Sequence, residues 1–120
     1  MIALAALLAS LALVLPFPPE WIDTVQVKVN VRQEHPGWLG YACGACPGPV
    51  LSLEPLIGTF ANSDILLRNV VAHESYHLYF GSSHGTPADP WDERGAYAFA
   101  CVVQYVPMCD GWLSFSRPAP

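Results

Sequence analysis

VAHESYHLYFG, Val71–Gly81, sets two of the chain's four histidines four residues apart, with a glutamate directly after the first. Apolar residues surround the trio. Imidazole and carboxylate are costly to bury without partners, so the stretch is either a polar nick in a packed helix or a site. Residues four apart on an α-helix stand on one face, one turn apart. His73 and His77 can therefore grip one metal ion, and Glu74 lies beside them on nearly the same face. Glu74 is poorly placed to ligate the same ion but can reach water next to it. This is the HExxH arrangement of two zinc ligands and a general base. With this chain's own content of histidine and glutamate, a chance occurrence has a probability of roughly 0.005. The bland alternative is a satisfied pair of structural histidines.

The flanks supply the context such a motif needs. Asn62 or Ser63 can cap a helix, and Asp64 suits its first turn. Ile65, Leu66, Val70 and Leu78 fall at helical spacing, and Gly81 is a natural stop. These features predict a helix over about 64–80. SSHGTPADP reads as a loop, with Asp89 as cap and Pro90 as first residue of a second helix, about 91–106, ended by Pro107. Ala96, Ala98 and Ala100 let this helix approach the first closely.

Upstream, WIDTVQVKVNVR (21–32) alternates, with Val25, Val27, Val29 and Val31 on one side and polar residues on the other. That pattern predicts a strand with one wet face. EHPG turns the chain, WLGYAC suggests a second strand, GACPGP a turn, and VLSLEP a third strand. The expectation is an α+β fold: a small, mostly antiparallel sheet packed on the HExxH helix and a second helix. A single domain over residues 20–117 accommodates it, with an irregular tail or short closing strand from Asp110.

The chain has 120 residues, 52% hydrophobic and 12% charged, which suits one small folded domain. Its net charge is -5, and its five basic residues (Lys28, Arg32, Arg68, Arg94, Arg117) are scattered. No basic patch exists to neutralise phosphates, so nucleic acid is not an expected partner. Residues 1–15, MIALAALLASLALVL, are apolar but for Ser10. Their length suits a signal-peptide core and is short for a membrane span. The segment reads as a secretory or anchoring leader outside the core fold, with a short buried helix as the alternative. The implied location is secreted, periplasmic or membrane-anchored, with membrane association through this segment.

Four cysteines, Cys43, Cys46, Cys101 and Cys109, agree with an oxidising compartment. Two disulfides are the preferred reading, with all three pairings open. A redox role for Cys43-Gly-Ala-Cys46 is weakly supported, because the pair does not clearly follow a strand and open a helix.

A zinc site ordinarily takes a third protein ligand. Glu93 is the first candidate, at the start of the second helix, where a carboxylate can face back to the first; helix-start electrostatics is its bland reading. His84, seven residues after His77, is the second; if Glu93 ligates, His84 is free to donate to a developing oxyanion. Asp89 and Asp92 are weaker candidates. Tyr97 lies one turn after Glu93 on the same face and is the better oxyanion donor of two tyrosines. Tyr76 faces away from the ion on the helix. All of these side chains can equally serve packing.

HESYH followed by ERGAYAFA resembles the gluzincin-like metallopeptidases, and most closely the small minimal zincins of the bacterial ImmA/IrrE-like type. In those, a glutamate opens an E-x-x-A-x-x-F-A stretch, matched here by Glu93, Ala96, Phe99 and Ala100. The resemblance covers about residues 50–106. It implies His73, His77 and Glu93 as zinc ligands, Glu74 as base, and a substrate laid along an edge strand of the sheet. The cysteines and the apolar leader depart from that mainly cytoplasmic family. Gly81 and His84 fall one residue late for the HExxHxxGxxH of the metzincins.

The expected function is zinc-dependent hydrolysis of peptide bonds, with Glu74, His84 and Tyr97 as catalytic candidates and an extended peptide or protein as substrate. The alternatives are a non-catalytic zinc domain that binds a protein partner, and a secreted interaction domain held by disulfides.

Overall fold

The computed structural model describes residues 1–44, 46–81 and 90–104, with the side chains of 90–93 and 104 left out. The fold is α+β. Four strands, β1 (Ile2–Ala3), β2 (Gln26–Val29), β3 (Gly40–Cys43) and β4 (Val50–Leu53), form one sheet in the order β1-β2-β4-β3. β1 pairs antiparallel with β2 and β3 antiparallel with β4, while β2 and β4 run parallel. The helices are α1 (Leu4–Leu11), α2 (Pro19–Ile22), α3 (Ser63–Phe80) and α4 (Pro90–Gln104), with a 3₁₀ turn at Pro55–Thr59.

β2 is shorter than the alternating pattern predicts. Val25 and Val27 are fully buried, but Val29 is 57% and Val31 93% exposed. The first two residues of that stretch, Trp21 and Ile22, close α2 (Pro19–Ile22) instead. The physical limit is the partner strand: Val29 pairs with Leu53, and Pro55, which cannot donate to a ladder, ends β4 just beyond.

The apolar N-terminal stretch, expected to stand apart from the fold, packs into it. Ile2 and Ala3 pair with Val27 and Gln26, and Leu4, Leu8, Leu13, Leu15 and Phe17 join the hydrophobic core. Phe17 stacks on Tyr79 of α3 and Phe99 of α4, tying the segment to both helices. No helix among the described residues is long and apolar enough to cross a membrane.

α3 begins within a residue of its predicted start. Asn62 occupies the cap position, but its side chain makes no capping bond; the first turn closes through Leu66 N–H to Asn62 O at 2.9 Å. Gly81 ends the helix in the left-handed conformation that glycine adopts without strain. In its middle, nearly every residue from Asn69 to Leu78 is buried. A helix buried on nearly all sides must be covered from more than one direction. Here β3 and β4 cover one side and α4 another.

The chain reaches β3 by an unusual route. From β2 it passes the slot that β4 will fill, forms the outer strand β3, then turns back to insert β4 between the two. The connection from Asn30 to Leu39 therefore crosses the end of β4, where Glu54 sits. Glu54 is 2% exposed. Its carboxylate accepts from Asn30 Nδ2, Gln33 Nε2 (3.0 Å), the Glu34 N–H (3.0 Å) and the His35 N–H (2.7 Å). At the loop surface, Lys28 Nζ donates to Glu34 at 2.8 Å and Tyr41 Oη donates to it at 2.6 Å. These two bonds, Lys28's first, hold the Glu34 carboxyl below its usual range.

Cys43 and Cys46 are disulfide-bonded, and so is Cys101. Cys109 lies outside the described residues, as does the tail.

Candidate metal centre

The HExxH residues sit where α3 is most deeply covered. His73, Glu74 and His77 are all 2% exposed or less. One ligand atom from each lies within 4.8 Å of the others. The two imidazoles turn their Nε2 atoms towards each other, 3.1 Å apart. Glu74 Oε2 stands 4.0 Å from His73 Nε2.

These distances test whether an ion fits. Two nitrogens bound to one tetrahedral zinc at the usual bond length lie about 3.3 Å apart. The observed Nε2 separation is close to that value, and it also suits a hydrogen bond between the rings in the metal-free chain. Neutral imidazole pairs are a normal zinc donor set. The group therefore fits a zinc ion through the ε nitrogens, with the carboxylate beside it.

The surroundings are built by close approach. Gly40 of β3 lies directly under α3: a Cβ there would fall 2.8 Å from Ser52 O and from Val70 Cγ1, and 3.6 Å from Glu74 Cγ. A glycine is thus what lets the outer strand approach Glu74. Ala42, two residues on and on the same face, is also buried. On α4, the backbone of Gly95 abuts the Tyr76 hydroxyl, in space that a Cβ would need.

Of the residues singled out in the sequence, the structure brings together His73, Glu74, His77 and Tyr97. The Tyr97 ring centroid is 4.4 Å from that of His73. Tyr76 takes the packing role, against Phe80, Phe99 and Gly95. Glu93 belongs to α4, one turn before Tyr97. Its side chain lies outside the described residues, as do those of Asp92 and the whole of His84 and Asp89. Sequence reading missed Gly40 and Glu54. For Glu54 the available signal was a carboxylate directly after an apolar strand and before a proline; for Gly40, a lone glycine inside a strand pattern.

Comparison with family models, curated proteins and solved structures returned no match.

Proposed function

We propose that this chain is a zinc-dependent peptidase in which His73 and His77 hold the ion, Glu93 completes the protein ligands and Glu74 is the general base. One observation carries the reading: two buried imidazoles stand with their Nε2 atoms 3.1 Å apart and a buried carboxylate beside them. Zinc bound there would polarise a scissile carbonyl and acidify a neighbouring water. Glu74, within reach of both imidazoles, accepts the proton of that water and passes it to the leaving amine. The Tyr97 hydroxyl, carried on a ring against His73, is the donor for the developing oxyanion, a role His84 can share.

The substrate is an extended peptide segment. β3 is an outer strand of the sheet, packs beside α3 and pairs only with β4 among the described residues, so its other edge is where a peptide's backbone could bond next to the site. A chain this small has room for few subsites, which favours a flexible peptide over a folded surface. The disulfide-bonded cysteines fit a secreted or periplasmic setting.

The test is zinc content beside peptide hydrolysis in the parent, His77→Ala and Glu74→Gln. The parent binds zinc stoichiometrically and His77→Ala loses most of it. Glu74→Gln keeps the zinc and loses about 10²- to 10⁴-fold in rate, the span of a general base. A parent that takes up no zinc, or a Glu74→Gln variant at full rate, refutes the proposal. Zinc without hydrolysis of any peptide points to a non-catalytic zinc domain.

A further inference from the structure

Glu54 is buried, ionisable and unused by the chemistry above. We propose that it is a positioning residue for the substrate wall: it fixes the Asn30–Leu39 loop and, through it, the start of β3 beneath Glu74. The inference rests on the proposed site and adds a residue to it.

Hydrogen bonds lead from Glu54 to Leu39, and the next residue, Gly40, passes close beneath Glu74. The Glu54 carboxylate accepts from two side chains and two successive backbone N–H groups of the loop. Gln33 extends the network: its Nε2 also donates to His35 O and Trp38 O at 2.7 Å each, and its Oε1 accepts from Leu56 N–H at 3.0 Å. The Glu54 N–H donates to Leu39 O at 2.9 Å. Leu39 precedes Gly40, the residue whose missing side chain lets β3 approach Glu74 Cγ.

Why would this position need a carboxylate? The loop crosses the end of β4 and, among the described residues, pairs with no strand there, so its backbone N–H groups need acceptors. A carboxylate supplies two oxygens with several lone pairs and donates nothing back. Glutamine fills the same volume but turns an NH₂ towards N–H donors. The loop then loses acceptors while the core beneath it, built on Leu51, Leu53, Val70 and Val71, is untouched. The chemistry predicts a fault confined to the wall that an extended substrate would use, leaving the metal ligands in place.

The experiment uses the full chain loaded with zinc and two probes sharing one metal-binding group. Acetohydroxamate reaches only the ion, whereas a hydroxamate carrying a tripeptide also lies along β3. The parent binds the longer probe more tightly. Glu54→Gln keeps the parent's affinity for acetohydroxamate and loses about tenfold for the peptide probe, the worth of one or two misaligned hydrogen bonds. In hydrogen exchange, the Glu34 and His35 amides lose protection while those of α3 keep theirs. Should Glu54→Gln fail to fold, Gln33→Ala removes the same network from its exposed side, with the same split expected. Equal loss of both probes together with α3 protection makes Glu54 a general fold residue and overturns the inference. Unchanged binding of both probes overturns it as well. A parent that binds zinc and both probes while cleaving nothing refutes the peptidase reading alone. A parent that takes no zinc removes both.

Discussion

Glu54 and Glu74 are both 2% exposed, both in a chain of net charge -5, and they serve opposite ends. Glu54 is surrounded by N–H donors aimed at its oxygens from a loop that has nowhere else to bond. Glu74 is set among imidazole nitrogens that suit a cation. Burial of a carboxylate costs the same desolvation in either place. What differs is the company: Glu54 accepts from N–H donors of the loop, whereas Glu74 stands beside two imidazoles whose nitrogens could share a metal ion with it. Burial alone therefore does not mark a site, and the identity of the neighbours does.

The largest test of this contrast is the matched pair of glutamines, read by thermal or denaturant unfolding of the metal-free chain. Glu54→Gln should lower stability by about 1–3 kcal/mol, because buried donors lose their acceptor. Glu74→Gln should leave stability unchanged or raise it, since a site residue is commonly retained at a stability cost. With zinc and substrate present, the order of damage reverses. Two variants that lose stability equally would make Glu74 another structural carboxylate.

Gly40→Ala follows. Its Cβ would meet the Ser52 carbonyl oxygen, which is backbone, and a Val70 methyl, both at 2.8 Å. Either β3 or α3 must shift, at a cost of about 1–3 kcal/mol. A shift of α3 carries Glu74 with it, so hydrolysis should fall more than zinc binding does. An alanine variant with parental stability and rate would show that the approach of β3 to α3 is slack, and would weaken the route argued from Glu54 to the site.

Most of the two-helix half was legible in the sequence. Asn62, Asp64 and Gly81 mark the ends of α3, and Pro90 the start of α4, through local chemistry that needs no knowledge of the rest. The HExxH pair was legible for the same reason: spacing on one helix fixes which side chains meet. The sheet half was legible in kind and less so in extent. Val29 and Val31 continue the alternation perfectly well, yet they stay 57% and 93% exposed, because where β4 ends depends on Pro55, further along the chain. The N-terminal stretch shows the same limit. A fifteen-residue stretch, apolar but for Ser10, reads alike as a leader or as core, and its pairing with Val27 and its place in the hydrophobic core are set by tertiary contacts. Glu54 could be noticed as a carboxylate between an apolar strand and a proline, but its partners could not be read, because they come from a loop that crosses it only in the folded topology.

The smallest effect is expected at the far end of the same strand. β3 is held at its start by the Glu54 network and at its finish by the Cys43–Cys46 disulfide. A bridge with a sequence separation of 3 closes a very short loop. In the chain-entropy account it restricts the unfolded chain little, so Cys43→Ser with Cys46→Ser should cost about 2 kcal/mol or less. The bridged turn also lies beyond Ala42, past the residues that face α3. Zinc content should be unaltered, and affinity for the peptide hydroxamate should fall less than it does in Glu54→Gln. That ranking discriminates between two ways of holding an edge strand. If the double serine variant weakens the peptide probe as much as Glu54→Gln, then β3 responds as one unit to release at either end. The special claim for Glu54 would then reduce to one of two equivalent pins. If only the Glu54 end matters, the wall is set where the strand passes under Glu74, and the disulfide serves the turn alone.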